Sequence, residues 1–184
     1  MTTYIAMLRG INVSGHKIMK MERLRAMFAD MGFQNVQTYV QSGNVVFKSA
    51  EAPAGLAAKI EKRILKEFGF DVPVLTKTAK EMAEIVKRNP FVKDTALDQT
   101  KLHVTFLADD PPKNALELLQ PFITGAEQLR TIGRAVYLYC PNGSGNSKLS
   151  NTTIEKKSGC SATTRNWKTT KTLLEMAEKG SQMI

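Results

Sequence analysis

The chain has 184 residues, 42% of them hydrophobic and 23% charged, with a formal net charge of +9. That is enough apolar material for one large or two small globular domains, and it excludes a globally disordered chain. No apolar run approaches the ~20 residues that a membrane-crossing helix needs, and Cys140 and Cys160 form no CxxC pair, which argues against a disulfide framework and for a reducing compartment.

The N-terminal stretch has no basic segment ahead of it and soon meets Arg9, so it reads as a strand, Thr3–Leu8, rather than a secretion signal. A polar, glycine-containing loop from Arg9 to Lys17 leads to a helix expected over Lys20–Met31. Its Met21, Leu24, Phe28 and Met31 recur at spacings of three and four, and Gly32 ends it. Asn35–Val40 and Val45–Lys48 read as strands joined by a hairpin turn at Ser42-Gly43-Asn44. Pro53 opens a second helix with Leu56, Ile60, Ile64 and Phe68 on one stripe, and a strand is expected over Val72–Thr76. The order β-α-β-β-α-β across residues 1–77 is the ferredoxin-like, split βαβ motif.

Residues 78–101 read as a linking helix and loop. Thr78 and Glu81 form a capping box for a helix over Ala79–Arg88, and Asn89-Pro90 ends it. The order then recurs in residues 102–184. Leu102–Leu107 is a strand, and Asp109-Asp110 followed by Pro111-Pro112 signals a helix running to Gln120. Gln128–Ile132 and Ala135–Tyr139 flank a tight turn at Gly133-Arg134, and a helix follows near Lys148–Lys157. Where a last strand should come, Thr163-Thr164-Arg165-Asn166-Trp167 leads instead into a helix ending near Lys179. The expected fold class is α+β: two ferredoxin-like (βαββαβ-type) halves with antiparallel sheets, the second modified at its C-terminus and carrying a C-terminal helix.

The positive charge is concentrated at the two ends of the chain. Residues 1–26 carry five Lys/Arg and one Glu, and residues 143–184 carry seven and three, so each segment has net +4 and the middle has net +1. Such ends create a local field that attracts anions, although basic composition also serves solubility alone.

In a βαββαβ unit the loop after the first strand and the turn between the second and third strands share one end of the sheet. This brings Arg9, Asn12 and Lys17 toward Gln41, Ser42 and Asn44, beside glycines that let backbone N–H groups approach a ligand. The loop also leads to a helix N-terminus, which favours an anion. A phosphate or carboxylate fits such a place. Turns, however, also require Gly and Asn for their own geometry. The loop lacks the GxxxxGK[ST] spacing of a P-loop.

A second constellation lies near the C-terminus. Lys148 offers a point charge, Arg165 a bidentate fork, and Asn166 either a ligand contact or a helix cap. Trp167 can stack on a base, or anchor a helix face shared with Thr170, Leu174 and Ala177. Nucleophilic catalysis is poorly supported. His16 lies in a loop, His103 lies on the strand face opposite Leu102, Val104 and Phe106, and Cys140 ends a strand and is expected to be buried and inert. Cys160, near Lys156 and Lys157, is the candidate reactive thiol. No cluster has metal-ligand spacing, and no cofactor is implied.

Four segments together carry a family resemblance: Leu8-Arg-Gly-Ile-Asn-Val13, Tyr39-Val-Gln-Ser-Gly-Asn-Val-Val-Phe47, Ser147-Lys-Leu149 and Thr163-Thr-Arg-Asn-Trp167. The chain resembles the bacterial domain-of-unknown-function 1697 family, with Ser14 where members often have a second glycine. The resemblance implies the two-part ferredoxin-like fold and no activity. The functional expectation is a cytoplasmic protein that binds an anionic ligand, namely a phosphorylated or carboxylated small molecule or a nucleotide. One alternative is an enzyme acting on a phosphorylated metabolite. The other is a nucleic-acid-binding or protein-interaction module. The third strand offers only Val45, Val46 and Phe47 in place of the exposed aromatics of an RNA-recognition motif. Membrane binding is not expected, and the sequence fixes no oligomeric state.

Overall fold

Strand β1 (Thr2–Leu8) is buried on both faces from Thr3 onward, which suits only a central strand. It pairs antiparallel with β3 (Asn44–Ser49) on one side and β4 (Val74–Thr78) on the other. The edge strand β2 (Gln34–Tyr39) lies outside β3, giving the order β2-β3-β1-β4. Its register shifts between Gln34 and Gln37, where Asn35 adopts φ +51°. Such a bulge discourages edge-to-edge pairing with another chain.

Helices α1 (Met21–Asp30) and α2 (Leu56–Phe68) bury their apolar stripes against this sheet. Leu24, Met27 and Phe28 of α1 and Leu56, Ile60 and Ile64 of α2 form one core with Tyr4, Ala6, Leu8, Val45 and Phe47. Phe47 is central to that core, with ring centroids 4.6 Å from Phe33 and 5.2 Å from Phe28. Truncating such a residue to Ala removes about 3–5 kcal/mol.

The computed structural model describes residues 1–182, and it divides into two compact units: Met1–Ala83 with the segment from Thr172, and Glu84–Lys171. In the second unit β5 (Leu102–Leu107), β6 (Gln128–Ile132), β7 (Ala135–Tyr139) and β8 (Ala162–Asn166) form a sheet of order β6-β7-β5-β8, the same topology as the first. Leu119 of α4 (Ala115–Leu119) and Ile154 of α5 (Asn151–Ser158) pack with Leu107, Leu129, Val136, Leu138 and Cys140.

Three sequence expectations need correction. A last strand is present: β8 pairs residue by residue with β5, from Leu107 with Ala162 to His103 with Asn166. Only Ala162 and Thr163 of it are buried, so it carries no apolar alternation, and β-branched Thr supplies its extended preference. Pro111-Pro112 do not open a helix. α4 begins at Ala115, and the exposed Asp110 instead pairs with Arg134. The next helix starts at Asn151 rather than Lys148, because the Ser150 hydroxyl accepts the Thr153 N–H at 3.2 Å and caps it.

The capping box is formed as expected. Glu81 accepts the Thr78 N–H at 2.8 Å, and the Thr78 hydroxyl accepts the Glu81 N–H at 3.1 Å. It starts α3 (Ala79–Lys87) directly after β4, just as α6 (Trp167–Gln182) starts directly after β8. The C-terminal modification of the second half is thus a helix that follows a complete βαββαβ order, and α3 is its counterpart in sequence after the first. Among the described residues, no helix is long and apolar enough to cross a membrane.

Candidate functional site

The loop between β1 and α1 closes one end of the first sheet, and a single amide side chain organises it. Asn12 Oδ1 accepts the Met19 N–H at 2.7 Å, and Asn12 Nδ2 donates to Met19 O at 3.0 Å and to Gln41 O at 2.8 Å. The backbone frame beneath it is fixed by Leu8 N–H to Gly43 O at 2.8 Å and Arg9 N–H to Pro73 O at 3.0 Å. Lys17 Nζ donates to Asp71 O. Three segments that are distant in sequence therefore meet here: residues 9–20, 40–43 and 71–73.

Asn44 is fully buried, and its Nδ2 donates to Tyr39 O at 3.1 Å and Ser42 Oγ at 2.9 Å. Asn12 and Asn44 thus hold the shape of the site. Arg9 is half-buried, and Lys17, Gln41 and Ser42 are exposed around them.

The backbone here is unusual. Gly10, Asn12, Ser14, Gly15 and Lys17 all have positive φ, as does Val40 at +51°. A β-branched residue in that region is a true outlier, and such outliers concentrate at functional sites. From Gly10 to Ser14 positive φ falls at every second residue, and the Asn12 N–H at the centre of this stretch donates to Lys17 O at 3.2 Å. Residues 9–20 contain Arg9, Lys17 and Lys20 and no acidic side chain. Gly43 has φ +76°, and a Cβ there would stand 2.7 Å from Leu8 Cβ and 2.8 Å from Ile11 Cδ1. Only glycine lets the 40–43 link lie this close to β1.

The second constellation lies in the other unit. Arg165 is half-buried on β8, where its Nη1 donates to Thr163 Oγ1 at 3.0 Å and to Thr164 O at 2.9 Å. Burial pulls its pKa down to about 10. Asn166 Oδ1 accepts the Thr169 N–H at 2.7 Å, the helix-cap arrangement for α6. Trp167 is 4% exposed, so it serves as an anchor rather than a stacking platform. Lys148 is exposed in the loop before α5. Phe47, the aromatic of the third strand, is wholly buried in the first core.

The remaining candidate groups lie in the second unit. His103 is half-buried with Nδ1 3.2 Å from Lys101 O, and burial lowers its pKa. Cys140 is buried, which pushes its thiol up to about 11. Cys160 is half-buried, with Sγ 3.5 Å from Ser158 Oγ. Among the described residues no group of three His, Cys, Asp or Glu can hold a metal. A cleft of about 250 Å³ opens at the opposite end of the first sheet, lined by Lys48, Thr78 and Lys80 among others.

Sequence reading missed Val40, Met19, Asp71 and the exposed Val13 and Ile18. The one legible signal was the set Ile11, Val13, Ile18 and Met19 inside a glycine-containing loop, of which the structure buries Ile11 and Met19 and exposes the other two.

Two sheets of identical strand order, each packed with two helices and followed by a third, define a tandem ferredoxin-like α+β protein. The chain belongs to the family described as protein of unknown function (DUF1697), whose model matches residues 1–137. The match ends in β7, so two of the four resembling segments, at 147–149 and 163–167, lie beyond it. The chain is similar in fold to the conserved bacterial protein SP0830 from Streptococcus pneumoniae. The TM-score is 0.77 at 20% identity, covering 96% of this chain and 98% of that one. No functionally curated protein matches it.

Proposed function

We propose that this protein binds an anionic ligand, a phosphorylated or carboxylated small molecule or a nucleotide, at the loop end of its first unit. The observation that carries this reading is the Arg9–Lys20 loop. It gathers three cations, no carboxylate and five residues of positive φ on a frame whose asparagines are already engaged in holding it. A cationic loop already held by its own hydrogen bonds meets an anion without having to reorganise around it. Cytoplasmic placement accords with the two free thiols.

The test is a thermal-shift series with nucleotides, sugar phosphates and coenzymes at low and high salt. A ligand at 100 times its Kd adds about 2.7 kcal/mol, a shift of about 2–4 °C per kcal/mol for a chain of this size. We expect one small anion to give a shift that survives salt and disappears in Arg9→Ala and Lys17→Ala. Shifts with polyanions alone that vanish at high salt would assign the charge to nonspecific attraction. Absence of any shift across the series would overturn the reading.

A further inference from the structure

We infer that the loop end of the first unit docks a segment of a partner protein in which acidic side chains alternate with apolar ones. This rests on the anion-binding reading of the same site and names the source of the anion as carboxylates on a peptide.

Three large aliphatic side chains stand in water here: Val13 is 57% exposed, Ile18 61% and Val40 52%. Each is a chain neighbour of a group joined at the Asn12 amide. Val13 follows Asn12 itself, Ile18 precedes Met19, and Val40 precedes Gln41. With about 3.8 Å between successive Cα atoms, the three residues lie within a patch on the order of 10 Å across. Among the described residues, the remaining exposed large apolar side chains, Met1, Leu65 and Leu116, belong to other segments. Scattered aliphatics on a surface need no explanation, but a cluster marks an interaction face.

Val40 strengthens the point. It is β-branched, left-handed and solvated at once, three conditions that are each unfavourable. Strain of this kind is kept where function uses it.

The chemistry selects among partners. Arg9, Lys17 and Lys20 share the loop of Val13 and Ile18, and Asp71 is the one acid in the three segments that meet here, so the site is net positive by sequence and the complementary surface is acidic. The apolar members are aliphatic and present no ring faces for bases, so an oligonucleotide would pair with the cations and leave Val13, Ile18 and Val40 uncovered. A peptide bearing Asp or Glu beside Leu, Ile or Phe satisfies both features, as apolar centres within charged rims do at protein interfaces.

The experiment is a selection of random 12-residue peptides displayed against the full-length protein, with Kd of the enriched peptides read by fluorescence anisotropy. We expect enrichment of sequences that mix acidic and apolar residues. Ile18→Ser and Val40→Asn should each weaken binding at least tenfold, and Arg9→Ala should do the same. Asn tolerates left-handed φ, so Val40→Asn keeps or raises thermal stability while losing affinity, which separates docking from folding. Enrichment of no such class, or affinities unchanged in Ile18→Ser and Val40→Asn, overturns the inference. A parallel arm measures a random-sequence 20-nucleotide RNA and inorganic pyrophosphate. If these bind through Arg9 and Lys17 and ignore Ile18, the peptide inference fails while the anion-binding reading stands. If peptides bind through Ile18 and Val40 but ignore Arg9 and Lys17, the peptide inference fails in its acidic half, and if pyrophosphate also fails to bind, the anion-binding reading fails with it.

Discussion

The same end of the two sheets is built on one frame and finished in two ways. In the first unit Leu8 N–H meets Gly43 O at 2.8 Å and Arg9 N–H meets Pro73 O at 3.0 Å. In the second, Leu107 N–H meets Arg134 O at 3.0 Å and Ala108 N–H meets Ser161 O at 2.9 Å. From there they diverge. The β5–α4 loop is short, Ala108–Asn114, the hairpin is the two residues Gly133-Arg134, and Arg134 grips Asp110 bidentately at 3.1 and 3.0 Å. The charges there cancel each other. The β1–α1 loop runs from Arg9 to Lys20, the hairpin link has four residues, 40–43, and residues 9–20 contain three cations and no acid. Since one frame is stable with a plain finish, the strain and exposed apolar surface of the other are not requirements of the fold. That difference is the reason to place function in the first unit.

The comparison is tested most strongly at its two glycines. Gly43→Ala combines left-handed φ with a Cβ driven into Leu8 and Ile11, and is expected to lose about 2–4 kcal/mol in urea unfolding. Gly133→Ala meets nothing nearer than Arg88 Nη1 at 3.8 Å, so only the cost of its φ, about 1–2 kcal/mol, remains. Equal losses at the two positions would mean that the close approach of the 40–43 link does not matter.

A smaller effect separates the ties. Asn12→Ala removes three hydrogen bonds and strands the Met19 N–H, which should cost about 2 kcal/mol and raise amide exchange in residues 12–19. Arg134→Ala breaks an exposed ion pair, 45% and 73% exposed, worth less than about 1 kcal/mol. If Asn12→Ala were as mild as Arg134→Ala, the loop would not depend on this hub.

The smallest effect concerns pH and belongs to the second unit. Burial lowers the His103 pKa below its ordinary value of 6.5, so the unfolded chain takes up a proton first as pH falls. Above about 6.5 the group is neutral in both states and contributes no pH dependence. Below that value stability declines until the folded-state pKa is passed. His103→Gln should flatten this decline in unfolding curves below about pH 6.5, while leaving the site of the first unit untouched. An unchanged slope would show that other groups govern the acid limb.

Much of the fold could be read directly from the sequence, because periodic burial leaves periodic apolarity. The stripe Leu56, Ile60 and Ile64 announced α2, and β5, β6 and β7 were expected with the same bounds as found. The meeting of Asn12 with Gln41 followed from topology alone. β8 was not legible, because its Thr and Arg side chains are ordered by pairing with β5 and not by an apolar face. Nor was the start of α4, since proline after paired acids looks the same whether a helix begins at once or three residues later. Asn166 read equally as ligand contact and cap, and only the Thr169 N–H at 2.7 Å distinguished them.

The sequence by itself determined the class of fold and the basic ends, through local periodicity and composition, the duplication through the order of its elements, and the family through its resemblance at four segments. Tertiary structure alone decided which polar residues are struts and which face outward. Asn44 and Ser42 stand two residues apart with similar chemistry, yet one is wholly buried and the other exposed. It also decided that Val40 adopts a left-handed backbone beside a glycine pressed onto β1. Those properties arise where segments 30 to 60 residues apart are forced together, and no local pattern in the chain encodes the geometry of that meeting.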